Sequence, residues 1–326
     1  MNVELRADIA ISGSQLDHFN KHGFVKLPGL LNRKEVASLR EAMADALESF
    51  ASSPNSYNVT AAADAFWRSE AANDNQGSIQ HDLGALAHLI RDSNQPRLVD
   101  APAESGERGR FLLDTSVWRR TPALAQFALM SCLPGLSAAL LGAEAVRYYD
   151  DQLFVKEPGA VDRAAFHQDF PYFHLSAPRG CVFWIPLDFA GPGGGRLAYI
   201  PGSHLWGDIY KPNIFVSALA FPGSEGSDMP AIDENPESFG ATYIDVEPGD
   251  VLVHHFLTIH GSEGNRRSMA RRAFSLRYCD AALTYKKHAG APHQPLHRQD
   301  AEDGDPLDPD VHPVVWPNAR ARRGVA

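Results

Sequence analysis

Four consecutive residues, Phe166-His167-Gln168-Asp169, and a histidine about ninety positions later, His260, form the chemically richest pattern in this chain. An extended strand turns alternate side chains to one face, so His167 and Asp169 can present an imidazole and a carboxylate to the same side. His260 can complete the set from a distant strand. Two imidazoles and one carboxylate on one face of an octahedral ion leave three positions open, the arrangement of non-haem Fe(II) oxygenases. A keto acid and O2 are what those open positions would take. Arg271 and Arg272 follow at a distance, and a guanidinium fork suits a carboxylate through bidentate charge-assisted hydrogen bonds.

A His-x-Asp triplet arises by chance in many chains, and this one holds fourteen histidines. His174, His204, His254 and His255 lie near the motifs and read more simply as core or surface histidines. His255 is the nearest rival to His260. Asp188 and Asp250 read as turn and strand-end residues. Gly193-Gly194-Gly195 is a strand connection, because no helix opening with Lys-Ser/Thr follows it as a phosphate cradle would need. Strand parity separates Arg271 from Arg272, but the turn after Ser262 prevents parity from choosing between them.

The elements that must position these groups are legible in outline. Ser14 to His22 reads as a short helix, with Ser14 as its cap and Gly23 as its stop. Phe24 to Pro28 follows as a brief strand. Asn32 and Glu35 form a capping-box start, and Val36, Leu39, Met43 and Leu47 then recur at helical spacing to about Phe50. Met43 belongs to that buried stripe. From about Ala51 to Arg110 the chain reads as loops and short helices, a candidate lid. Thr121-Pro122 opens a helix through Ala128, and Pro134 to Leu141 makes another ending at Gly142.

Beyond Gly142 come short aromatic and β-branched runs: Val146 to Lys156, Cys181 to Asp188, Arg196 to Ile200, Thr242 to Val246, Asp250 to His255 and Ala273 to Tyr278. Gly/Pro turns separate them, which indicates a sandwich or barrel. The expected architecture is α+β and a single domain over 1–326. Helices over about 14–142 buttress a jelly-roll core over about 143–280, and an irregular tail covers 281–326.

With 44% hydrophobic and 21% charged residues the composition is that of a globular protein. The formal net charge of -10 disfavours a nucleic-acid partner, which would require a basic face. Three scattered cysteines, Cys132, Cys181 and Cys279, lack metal or redox spacing and point to a reducing cytoplasmic compartment. Met1 to Ile11 shows no apolar run of signal length, and no transmembrane helix is expected.

The strand-rich half resembles the phytanoyl-CoA dioxygenase (PhyH-like) superfamily. The resemblance rests on His167-Gln168-Asp169-Phe170-Pro171-Tyr172-Phe173, Trp184-Ile185-Pro186-Leu187-Asp188 and Gly195 to His204. It continues through Gly249 to His255 and His260-Gly261-Ser262, with Phe19 to Val25 and Leu141-Gly142 fitting as well. It implies a double-stranded β-helix core that binds Fe(II) and consumes 2-oxoglutarate with O2. It implies His167, Asp169 and His260 as iron ligands and, eleven positions past His260, Arg271 as the arginine that binds 2-oxoglutarate. Ser262 would donate to the same carboxylate, while Trp184 and Gln152 match co-substrate-lining positions. Halogenating relatives carry a small residue in place of the carboxylate, so Asp169 points to oxygenation. Phe170, Tyr172 and Phe173 are candidate substrate-facing aromatics, or they pack the barrel mouth.

The expected activity is hydroxylation of an unactivated C–H bond in a small molecule such as a natural product. Desaturation, epoxidation or rearrangement with the same cofactors remains open. So do a non-catalytic metal-binding sensor and a cupin-type hydrolase or isomerase.

Overall fold

Capping chemistry starts the amino-terminal helices. The computed structural model describes residues 9–64, 96–99, 108–221, 223–291 and 300–317. Helix α1 (Gly13–His22) begins at Ser12, whose hydroxyl accepts from the Gln15 backbone while the Gln15 side chain returns the bond. The cap is therefore Ser12 rather than Ser14, because only Ser12 has Gln three positions on to close the box. Gly23 ends the helix at φ 82, where a Cβ would sit 2.4 Å from the Thr258 hydroxyl. Strand β1 (Phe24–Leu27) follows. Helix α2 (Arg33–Glu48) carries the Asn32/Glu35 capping box and buries Val36, Leu39, Met43 and Leu47.

Strand β2 (Ser56–Asn58) corrects the expectation of loops and helices over 51–110, and it pairs with β3 (Phe111–Thr115) just beyond that stretch. Most of that stretch, with the candidate lid, lies outside the described residues. Residues 122–141 are apolar enough for a membrane by composition, at mean hydropathy 1.7. They break at Ser131-Cys132 into α3 (Pro122–Met130) and α4 (Leu133–Leu141). Nine residues span roughly 14 Å, too short for a hydrocarbon core of about 30 Å. Leu124, Phe127, Leu133 and Leu136 are instead buried in the protein core.

The remaining strands are β4 (Val146–Lys156), β5 (Ala164–His167), β6 (Gly180–Pro186), β7 (Leu197–Tyr199), β8 (Thr242–Ile244), β9 (Val251–His255), β10 (His260–Ser262), β11 (Arg271–Asp280) and β12 (Val314–Trp316). One sheet runs β1-β9-β6-β11-β4-β3-β2, with β12 also on β4. The other runs β5-β10-β7-β8. All pairings between strands are antiparallel. The two sheets form a jelly roll without a closed barrel, with helices on the outer face of the larger sheet.

Strand alternation divides β11. Phe274, Leu276 and Tyr278 join the helix-side core with Phe183 and Ile185. Arg271, Ser275 and Arg277 face the space between the sheets. A second apolar cluster of Phe111, Phe154, Trp184, Leu197, Tyr199 and Leu252 joins the sheets around that space.

The tail is more ordered than its sequence suggested. Val314–Trp316 adds a strand to β4, and His312 stacks on Tyr149 with ring centroids 4.8 Å apart. The basic carboxyl end lies outside the described residues.

Burial depresses the His312 pKa to about 4, and burial with the neighbouring His204 does the same for His255. An unfolded chain takes up these protons near pH 6.5, whereas the folded one resists until about 4. Stability is thus full above pH 6.5 and falls as pH drops toward 4. Melting temperatures at pH 7 and pH 5 should show this decline, and His312→Gln, which keeps a donor toward the Tyr149 carbonyl, should make it shallower.

Candidate metal centre and co-substrate pocket

His260 and His167 meet because of register. The short strand β10 lies between β5 and β7, with His260 directly opposite His167 on one side and Tyr199 on the other. The two imidazole centroids are 4.4 Å apart. Asp169 joins them differently from the strand alternation expected. Strand β5 ends at His167, and Asp169 sits in αR conformation at the start of a 3-10 turn over Phe170–Tyr172. The turn swings the carboxylate back, so one ligand atom from each of His167, Asp169 and His260 lies within 4.8 Å of the others.

Their hydrogen bonds fit them for a metal. His167 Nδ1 lies 2.7 Å from the Ala165 carbonyl, and His260 Nδ1 lies 3.0 Å from that of Thr258. Each carbonyl takes an Nδ1 proton and leaves an Nε2 lone pair free, as metal-ligating histidines require. Burial first, then the neighbouring imidazole (His260 for His167, His254 for His260), lowers both to about 4, so both are neutral near pH 7. Burial alone would raise Asp169. His260, a hydrogen bond from His254 and the charge of Arg277 override it and hold the carboxyl well below its ordinary value. Two neutral imidazoles and an ionised carboxylate are a donor set for a divalent first-row metal with open positions.

His254, read from sequence as a plain core histidine, supports this set. Its Nε2 is 3.1 Å from the second Asp169 oxygen, and its Nδ1 is 3.1 Å from the Tyr199 hydroxyl. Tyr199 can thus donate to Nδ1 while Nε2–H donates to Asp169, fixing the tautomer. The adjacent His255 points elsewhere and accepts from the Leu257 backbone.

Arg271 lines the same pocket, and a second buried basic side chain, Lys156, lies beside it. Arg271 is 3% exposed, its Nε has no hydrogen-bond partner, and its guanidinium lies 5.4 Å from the Trp184 ring centroid. Lys156, register partner of Arg271, is fully buried; its Nζ donates to Ser262 Oγ at 2.9 Å and to the carbonyls of Asp162 and Glu263. Burial first, then the Arg271 charge, pushes the Lys156 pKa well down. Among the described residues neither cation forms an ion pair with a carboxylate. Such a site is completed by an anionic ligand, and the distal carboxylate of a keto acid suits it. Gly195 makes room, since a Cβ there would come within 2.9 Å of Arg271 Nε.

Arg272 goes to the opposite face, where Nε and Nη2 grip Asp188 at 2.9 and 2.8 Å. Its fork is already filled.

Other residues singled out from sequence divide. Trp184, Gln152 and Ser262 line the pocket with the triad and Arg271. Tyr172 stands edge-on to His167 at 5.7 Å, and its hydroxyl is engaged by Asn213. Phe170 and Phe173 do not reach the pocket. The 3-10 turn sends them into a cluster with Tyr149, Leu175, Val182 and Phe256. The aromatic wall comes instead from Phe111, Phe154 and Phe215. Phe215 lies 5.1 Å from the His167 ring and adopts φ 69, an outlying conformation for a bulky side chain. No sequence signal marked Phe215 or Lys156, since each takes its place through tertiary contacts.

The sequence profile of the phytanoyl-CoA dioxygenase (PhyH) family matches residues 19–273. The chain belongs to that family. It is accordingly a dioxygenase of the iron- and 2-oxoglutarate-dependent class, and the donor set described above fits both cofactors. The probable phytanoyl-CoA dioxygenase of Caenorhabditis elegans is 28% identical over 124 residues, 38% of each chain. The phytanoyl-CoA dioxygenase domain-containing protein 1 of Mus musculus is 24% identical over 288 residues, covering 84% of this chain and 92% of its own.

Solved structures share the fold. The non-haem alpha-ketoglutarate-dependent carbocyclase SnoK from nogalamycin biosynthesis aligns with TM-score 0.62 at 22% identity, covering 94% of this chain and 96% of that one. EctD from S. alaskensis with 2-oxoglutarate and 5-hydroxyectoine aligns with TM-score 0.58 at 20% identity, covering 94% and 89%.

Lys156→Met should weaken 2-oxoglutarate binding about ten-fold or more, because it removes a buried charge beside Arg271 and the donor that orients Ser262. Arg272→Gln, whose side chain serves Asp188, should leave binding within about two-fold. Calorimetry on the anaerobic Fe(II) protein checks both, and the reverse order would move the carboxylate site to the other face of β11.

Proposed function

We propose that this PhyH-family chain hydroxylates an unactivated C–H bond of a small molecule. The balance is one keto acid, one O2 and one substrate C–H giving succinate, CO2 and the alcohol. A single observation carries this reading: the His167/Asp169/His260 set and the buried guanidinium of Arg271 open onto one pocket. Bound iron would supply the O2 activation that no side chain here can provide.

The chain's own groups bind and orient. Arg271, Lys156 and Ser262 would hold the 5-carboxylate of 2-oxoglutarate, and Trp184 would give it a flat wall. His254 keeps Asp169 ionised and aimed. The rings of Phe111, Phe154 and Phe215 exclude water from the reacting centre. Asp169 supports oxygenation, since the carboxylate fills the position that halogenation would leave to a halide. The apolar wall and the acidic whole favour a small substrate over a polyphosphorylated thioester. Three buried thiols, Cys132, Cys181 and Cys279, support a reducing cytoplasmic setting.

A second outcome with the same cofactors has a specific support: the similar folds include the carbocyclase SnoK and the epimerase SnoN. Hydrogen removal followed by ring closure or inversion would then replace hydroxyl delivery.

The deciding experiment has two stages. Anaerobic addition of 2-oxoglutarate to the Fe(II) protein should produce a visible metal-to-keto-acid charge-transfer absorption, absent in His167→Ala. Aerobic turnover with candidate small molecules should then yield succinate with a product that has gained one oxygen atom. Asp169→Ala should abolish that product with an unchanged melting profile; full hydroxylation by this variant would overturn the iron assignment. A product isomeric with the substrate, or lacking two hydrogens, would select the second outcome.

A further inference from the structure

The pocket contains a second buried guanidinium that the chemistry above does not use. Arg277 is six residues beyond Arg271 on β11, on the same face of the strand, and is 4% exposed. Its Nη2 donates to Gln152 Oε1 at 2.5 Å. Its Nε and Nη1 are buried without a hydrogen-bond partner. Asp169 lines the same pocket, yet no ion pair joins it to Arg277 among the described residues. A desolvated guanidinium with unfilled N–H donors on two nitrogens is suited to receive an oxyanion.

Register shows where that guanidinium lies. Ser275 of β11 is flanked by Gln152 on β4 and by Trp184 on β6. Arg277 reaches back along the strand to Gln152. Arg271 reaches forward to lie against Trp184. The two guanidinium groups therefore lean toward each other from opposite ends of the pocket floor, over the row Trp184–Ser275–Gln152. Six residues of strand separate their Cα atoms by roughly 20 Å, and both arms lean inward across that distance. Arg271 has Lys156 and Ser262 beside it, whereas Arg277 stands at the end with Asp169 and His254.

We propose that Arg271 and Arg277 are the two ends of a dicarboxylate clamp. Arg271 takes the distal carboxylate, and Arg277, aimed by Gln152, takes an oxygen of the 1-carboxylate, the end beside the metal. This rests on the co-substrate reading above and adds what orients the keto acid: one end is fixed by charge away from the metal, the other by charge beside it. Gln152 then acts as a positioning residue, working through Arg277.

Calorimetry on the anaerobic Fe(II) protein separates the ends by using two acids, 2-oxoglutarate and 2-oxobutanoate, which lacks the distal carboxylate. Arg277→Gln should weaken both acids about ten-fold or more, because both carry the 1-carboxylate. Arg271→Gln should weaken 2-oxoglutarate alone, bringing it near the affinity of 2-oxobutanoate. Gln152→Leu leaves both charges in place and should weaken both acids to a smaller extent; it decides the matter if Arg277→Gln does not fold. Loss in Arg271→Gln with unchanged binding of both acids in Arg277→Gln, or in Gln152→Leu where that variant must decide, would overturn the clamp alone. Absence of 2-oxoglutarate binding by the unsubstituted protein would overturn the co-substrate assignment, and the clamp with it.

Discussion

The pairing of three-residue β10 between β5 and β7 is the constraint on which the rest depends. It sets His260 opposite both His167 and Tyr199. A slip of one residue would turn His260 to the other face and leave Gly261 in its place. The register also gives the third ligand its support, since Tyr199 bonds His254 and His254 bonds Asp169. One backbone alignment thus fixes two ligands directly and steadies the third through a hydrogen-bonded chain.

Electrostatics at the other end of the pocket has the opposite character. Arg271 and Lys156 are held without a carboxylate partner in a region that water barely reaches, while Arg272 next door is partly exposed and doubly bonded to Asp188. The same side-chain type serves as a filled structural bridge on one face and as an unfilled receptor on the other. Keeping buried cations unpaired costs stability, and an anion that binds only the folded state offsets the cost through linkage. An anion bound at this end would therefore raise folding stability.

The aromatic wall shows how the segment around 208–228 enters the site. Asn213 bonds the Phe166 carbonyl and exchanges hydrogen bonds with Tyr172, and it accepts from the backbone of Phe215. This bracket holds Phe215 at its left-handed φ, against His167, Phe111 and Phe154. Bulky residues persist in that conformation where surrounding contacts over-determine them, and such places cluster at functional sites. Tyr172 contributes here through its hydroxyl, whereas its neighbours Phe170 and Phe173 serve the core.

Local chemistry made much of the architecture readable from the sequence alone. The Asn32/Glu35 box, the stop at Gly23, the Pro starts of α3 and α4 and the Gly/Pro turns between apolar runs act within a few residues, so the sequence displays them. The motif residues His167, Asp169 and His260 were legible as a metal set because their types and order are distinctive. Strands β3 and β12 were not, because each becomes a strand through pairing with β4 and not through a strong pattern of its own. The sequence also suggested the wrong route for Asp169, since alternation cannot foresee that β5 stops at His167 and turns. Only the tertiary structure decided that Arg271 faces inward while Arg272 is filled by Asp188, that Lys156 lies beside Arg271, and that Arg277 leans back toward Gln152. Those outcomes depend on register between strands far apart in sequence, and register is a property of the assembled sheets.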